Sequence, residues 1–122
     1  MRRYRLSAAA QADIVDILAR TEERFGKAAR LRYETLIVTA IRDIAEDPER
    51  PGASVRPELG DGAKSWHFRL SRDRARGKSA PVRRPRHLIV FRIGNGGTIE
   101  IGRVLHDAME LERHRPTDLD WN

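Results

Sequence analysis

The 122-residue sequence contains no cysteine. Disulfide bonds, thiolate zinc sites and cysteine nucleophiles are therefore excluded. No apolar run approaches the roughly 18 residues that a membrane-spanning helix needs, and no apolar segment follows the basic first residues as it would in a signal peptide. A chain of this length can bury one core. We therefore expect one domain over residues 1–115, a tail over residues 116–122, a cytoplasmic location and no membrane contact.

Acidic residues are scarce in residues 69–86, here called the basic segment, which holds eight lysines and arginines but only one acid, Asp73. The segment carries +7 and the whole chain +6, so the remaining residues sum to −1. Such a patch attracts nucleic acid, an acidic protein or an acidic peptide, unless it is only a solvated loop. We expect the cations in its middle to meet an acidic partner and not to support the fold. These candidates are Arg72, Arg74, Arg76, Lys78, Arg83 and Arg84.

Two stretches near the N-terminus have apolar residues at helical spacing. Ser7 stands where an N-cap is expected, ahead of three alanines, and Gly26 allows the left-handed backbone that ends a helix. A second stretch repeats apolar residues every three or four positions from Tyr33 to Ile44, and Pro48 follows it. Two helices joined so closely are predicted to pack as an antiparallel hairpin.

Short apolar segments predict β-strands on both sides of these helices. Strands are predicted at residues 4–6, at residues 66–70, where apolar and polar residues alternate, and at residues 87–93, which are apolar on both faces. The Asn95-Gly96 pair predicts a turn into a last strand at residues 98–105. The predicted fold class is α+β. Its order is β-α-α-β-β-β, with the helical hairpin packed on a small antiparallel sheet and a short C-terminal helix.

Several local strings, found in the expected order, together resemble the ParE branch of the RelE/ParE toxin superfamily. The matching strings are residues 6–14, 23–26, 32–33, 47–48, 56–60, 86–92 and 99–106. They extend over nearly the whole chain. The resemblance implies a toxin of a type II toxin–antitoxin system that inhibits DNA gyrase, needs no cofactor and is neutralised by a ParD-type antitoxin.

RelE-type members of the same superfamily cleave messenger RNA on the ribosome, which is the alternative function. Such cleavage needs a base, an acid and cations that hold the phosphate. RelE-type toxins resemble one another in having basic residues on the sheet and, commonly, a tyrosine near the C-terminus. Here the candidates would be His106, Arg69, Arg92 and Arg103. No tyrosine follows His106, so we expect the chain not to be an enzyme.

Two further kinds of site find little support in the sequence. The basic segment favours nucleic-acid binding, but no helix-turn-helix, zinc-finger or RNP-like motif accompanies it, so direct binding is not expected. The histidines have no metal-ligand spacing and no cysteine partner. They are His67, His87, His106 and His114.

An antitoxin site is expected where the helical hairpin meets the sheet. Helices this rich in alanine, isoleucine and leucine, beside a small sheet, should leave an apolar groove that a partner helix can fill. The candidate contacts are Leu31, Thr35, Trp66 and Phe68. Trp66 and Phe68 also fit the core, and we expect core packing for them in preference to base stacking.

Overall fold

The computed structural model describes residues 1–77, 81–109, 111–114 and 121. Two helices pack on a five-stranded sheet, which confirms the α+β class and the helical hairpin. Helix α1 spans Ala8–Phe25 and helix α2 spans Lys27–Glu46. Strands β1 to β5 span Tyr4–Leu6, Ser54–Val55, Lys64–His67, His87–Ile93 and Ile99–His106.

The signals that begin and end α1 act as predicted. The Ser7 hydroxyl accepts a hydrogen bond from the Ala10 backbone N–H at 3.0 Å, which caps the helix. It also donates to the Gly102 carbonyl at 2.7 Å, so the same residue ties α1 to β5. Gly26 takes a φ of +94° between the two helices, a region that favours glycine.

The sheet is mixed, and the prediction of an antiparallel sheet is wrong for one strand. The strand order is β1-β5-β4-β3-β2, and β1 lies parallel to β5, with Tyr4 opposite Ile99. A parallel neighbour needs a long crossover connection, and the chain between β1 and β5 contains both helices and the other three strands. The two-residue strand β2 at the opposite edge was not predicted.

The strand predicted at residues 66–70 is shorter than expected. It ends at His67, and a 3₁₀ turn at Phe68–Ser71 follows. The His67 side chain accepts a hydrogen bond from the Arg69 backbone N–H at 3.1 Å and so caps this turn. The short C-terminal helix is a 3₁₀ turn at Leu111–His114.

Apolar residues are buried on both faces of the sheet. The larger cluster lies between sheet and helices and includes Leu36, Ile44 and Phe91. Side chains on the other face of the sheet, such as Val90, form a second cluster with Trp121. Trp121 is 4% exposed, so this residue packs against the rest of the chain. No helix within the described ranges has the length and apolar character to cross a membrane.

Candidate partner-binding groove and histidine cluster

A groove of about 280 Å³ lies between α2 and the basic segment. Residues of α2 line one side, and residues from both halves of the basic segment line the other. The lining residues are Ala28, Leu31, Arg32, Thr35, Leu36, Arg72, Ala75, Gly77, Pro81 and Val82. Most are apolar, two are arginines and none is acidic, so the groove suits a segment that is both apolar and negatively charged.

The two arginines of the groove differ in what holds them. Arg32 is partly buried, yet within the described ranges it has no acid within 4 Å. Its neighbour Arg30 lies 3.4 Å from Glu22. Arg72 donates to the Arg83 carbonyl at 3.0 Å, which joins the two halves of the basic segment. The Arg32 guanidinium therefore remains available to an anion.

An exposed apolar stripe on α2 extends the groove. Leu31 is 49% exposed and Val38 is 45% exposed. Together with the exposed Thr35 they occupy positions i, i+4 and i+7, which share one helix face. The Thr35 hydroxyl donates a hydrogen bond to the Leu31 carbonyl at 3.1 Å. Because the hydroxyl is paired within the helix, the Thr35 methyl group forms part of the apolar stripe.

The structure separates the four residues predicted to bind an antitoxin. Leu31 and Thr35 line the groove, but this groove lies between α2 and the basic segment and not between the hairpin and the sheet, where the sequence placed it. Trp66 is 1% exposed and Phe68 is 0% exposed, so neither can contact a partner, and the prediction is wrong for both. The Trp66 indole N–H donates to the Ser71 hydroxyl at 2.8 Å, while the Phe68 ring meets Tyr33 edge-on at 5.9 Å.

Arg74 holds the basic segment in the fold, contrary to the expectation, as Arg72 also does through the Arg83 carbonyl. Arg74 donates through Nε to the carboxylate of Asp43 at 2.9 Å and through a terminal nitrogen to the Leu70 carbonyl at 2.6 Å. Asp43 is buried on α2, and it also accepts from the Ser71 hydroxyl at 2.5 Å and lies 3.2 Å from Arg50. This network fixes the first half of the basic segment against α2.

The remaining predicted cations have different surroundings. Arg76, Arg83 and Arg84 are exposed, as a surface that meets an acidic partner requires. Lys78 lies outside the described residues. The charge that the sequence shows as one patch is therefore divided between residues that hold the segment and residues that face solvent.

The candidate residues for RNA cleavage are not brought together. Arg92 donates to Glu100 at 2.7 Å, and its guanidinium lies 4.4 Å from the centre of the Trp121 ring. Arg103 donates to Asp13 at 2.8 and 3.0 Å. Both cations are thus paired with acids of this chain.

The positions of these candidates along the sheet separate them further. Arg92 lies opposite Glu100, whereas His106 lies opposite His87, five residues away along β4. That spacing corresponds to about 17 Å. Arg69 lies in the 3₁₀ turn beyond β3, nearer the His106 end of the sheet. A single phosphate cannot touch His106 and Arg92 at once.

A cluster of titratable side chains lies at the His106 end of the sheet. The Tyr33 hydroxyl is 2.5 Å from His87 Nδ1, and the rings of His87 and His106 meet edge-on at 5.2 Å. His67 Nε2 lies 2.9 Å from an Asp107 carboxylate oxygen. Arg86 Nε donates to the other oxygen of that carboxylate at 3.0 Å.

The surroundings of the cluster favour a neutral His87. Burial is the main cause that lowers the pKa of His87 to about 4, and the neighbouring His106 acts in the same direction. Burial also raises the pKa of the Tyr33 hydroxyl above its ordinary value. Burial alone would raise the pKa of Asp107, but hydrogen bonds from His67 and Arg86 outweigh it and hold that pKa below its usual value.

This cluster was missed in the sequence because its members are far apart along the chain. Tyr33 lies on the apolar stripe that predicts the second helix, and it is 7% exposed. Its bond to His87 joins residues 54 positions apart, and no local pattern signals that pairing. Among the described residues, no three His, Cys, Asp or Glu side chains are placed to hold a metal ion.

Comparisons with known proteins define the class. The family model described as the ParE toxin of the type II toxin–antitoxin system parDE matches residues 4–111. The chain is also 31% identical over 114 residues to Toxin ParE1 of Caulobacter vibrioides. This alignment covers 93% of this chain and 98% of that protein. The chain therefore belongs to the ParE toxin family of type II toxin–antitoxin systems, whose toxins pair with antitoxins.

Proposed function

We propose that this chain is a growth-arresting toxin that binds and inhibits DNA gyrase in the cytoplasm, and that a ParD-type antitoxin neutralises it. The observation that carries the proposal is the match to the ParE toxin family over residues 4–111. The groove beside α2 supports a partner that is a protein, because it joins an exposed apolar stripe to positive charge.

We further propose that the chain acts by binding and not by catalysis. Arg92 and Arg103 are each paired with an acid, and the first of them is about 17 Å from His106 along the sheet. RNA cleavage needs its base, acid and cations around one phosphate. The separation of these groups gives the ribonuclease alternative less support than gyrase inhibition.

The activity is tested by inducing the chain in cells with and without the antitoxin. We expect growth arrest, a DNA-damage response and loss of supercoiling, while messenger RNA stays intact. Purified gyrase should lose supercoiling activity when the purified chain is added, and the antitoxin added first should prevent this. Cleavage of translated messages at codon positions, with supercoiling unaffected, would replace gyrase inhibition by the ribonuclease function.

The antitoxin pairing is tested by co-expression with the product of the reading frame just upstream. We expect the two proteins to purify as one complex, in which a helix of the antitoxin lies along the groove. The contacts should include Leu31 and Thr35. Separate elution of the two proteins at micromolar concentration would contradict the pairing.

A further inference from the structure

Two arginines line the groove. Arg32 comes from α2 and Arg72 from the basic segment, so they flank the groove from its two sides. The apolar lining between them includes Leu31, Leu36 and Val82. Within the described ranges, no acid of this chain comes within 4 Å of Arg32, although Arg30 on the same helix pairs with Glu34 of α2 and Glu22 of α1.

We propose that the groove selects a segment in which an apolar side chain stands beside a carboxylate, the apolar group entering the groove and the carboxylate meeting Arg32 and Arg72. This deepens the proposed antitoxin binding and rests on it. The ion pair between a partly buried guanidinium and an anion is strongest when apolar surface is buried beside it, because the apolar surface excludes water from the pair. A segment that is only apolar would remove water from both guanidiniums and bring no anion to either of them.

A second copy of this chain fits the groove poorly. The chain carries a net charge of +6, and the groove lies against the segment that holds the excess. Two such surfaces repel each other at physiological ionic strength, where charges interact over about 8 Å. An acidic segment of the antitoxin is attracted to the same surface, so the charge of the groove favours that partner.

The test compares two double variants of equal charge, with the antitoxin encoded beside this chain as the probe. Arg32→Gln with Arg72→Gln removes both groove cations. Arg24→Gln with Arg42→Gln removes two exposed cations that do not line the groove. Both double variants carry +4 where the chain carries +6, so a general loss of attraction affects them equally. Association and dissociation rates are measured at low and high salt.

We expect the groove pair to weaken antitoxin binding at least about tenfold, mainly through faster dissociation. The control pair should weaken it less than about threefold. Arg32→Gln alone should reproduce part of the loss. This variant keeps the hydrogen bond from Arg72 to the Arg83 carbonyl, so its loss reports on charge and not on the shape of the basic segment. Thermal unfolding of each variant confirms that it is folded at the temperature of the binding assay.

The apolar half of the proposal has its own pair of variants. Leu31→Ser removes an exposed apolar side chain from the groove, and Val15→Ser removes one from α1, where Val15 is 68% exposed. We expect weaker antitoxin binding for Leu31→Ser and little change for Val15→Ser. Equal effects of both substitutions would overturn the assignment of the groove.

The outcomes separate this inference from the proposed function. If the unaltered chain does not bind the antitoxin at all, the antitoxin pairing itself fails. If it binds, but the two double variants weaken binding equally, the pairing stands and the groove is not the site. A self-associated chain that becomes monomeric in the Arg32→Gln and Arg72→Gln variant would identify a second copy as the occupant and refute the acidic segment.

Discussion

The partly buried His87 predicts that this chain loses stability as the pH falls from about 6.5 to about 4. The folded chain holds the pKa of His87 near 4, below the ordinary value of 6.5, mainly because of burial. A lowered pKa means that the unfolded chain binds the proton more tightly than the folded one. Stability is therefore fully present above pH 6.5 and is lost as the pH falls through this window.

The size of the loss follows from the two pKa values. Their difference of about 2.5 corresponds to roughly 3.4 kcal/mol, at about 1.36 kcal/mol for each tenfold change in proton binding. His87 is only partly buried, so solvent screening reduces the value. We expect about 1–2 kcal/mol. The Tyr33 hydroxyl contributes by hydrogen bonding to His87 Nδ1, which a neutral ring can accept and a protonated ring cannot.

Urea unfolding of the unaltered chain, His87→Gln and His114→Gln at pH 7.5 and pH 4.5 measures this loss. We expect His87→Gln to lose about 1–2 kcal/mol less than the unaltered chain between the two pH values. His114→Gln is the matched control and should behave like the unaltered chain. The carboxylate of Asp107 titrates below its usual range, so its contribution is lost at lower pH and does not overlap the window. An equal loss for His87→Gln and the unaltered chain would refute the reasoning.

Two substitutions test contacts that hold the basic segment and the core. Asp43→Ala should destabilise the fold by about 2–4 kcal/mol in urea unfolding, because several donors lose their shared carboxylate. The control Asp61→Ala, in an exposed turn, should change the free energy of unfolding little. Gly52→Ala should cost about 2–3 kcal/mol, since φ is +103° and a Cβ would lie 2.9 Å from Leu70. Gly60→Ala isolates the backbone cost, because φ is +123° and the space around a Cβ there is open. Equal losses of stability at Gly52 and Gly60 would show that the Leu70 contact adds nothing.

The local parts of the fold could be predicted because each depends on residues close together in sequence. The Ser7 cap bonds a backbone group three residues away, and Gly26 needs only its own freedom at φ. The parallel pairing of β1 with β5 joins residues about 95 positions apart, with Arg5 opposite Glu100. The apolar pattern of a strand shows which of its faces is buried, but it does not show which strand it pairs with or whether that pairing is parallel.

The candidate site was only partly predicted for the same reason. Leu31 and Thr35 were assigned to a groove because apolar helices beside a small sheet should leave one, and they line a groove between α2 and the basic segment. Trp66 and Phe68 were placed beside them because strand alternation does not show how deeply a face is buried. The exposure of a side chain depends on what packs over it, and here that is α2, which ends 20 positions before Trp66.

The helix α2 determines the shape of the groove from both sides, because it supplies a polar anchor for each half of the basic segment. Asp43 binds Arg74 and Ser71 on the first half, and the Tyr33 hydroxyl accepts the Arg86 backbone N–H at 3.4 Å on the second. Charge counted from the sequence therefore exceeds the charge offered to a partner, since Arg74 is occupied within the chain. Replacing Arg74 together with the exposed cations would remove an anchor and a charge at once, so only variants that spare it can separate attraction of the partner from the shape of the groove.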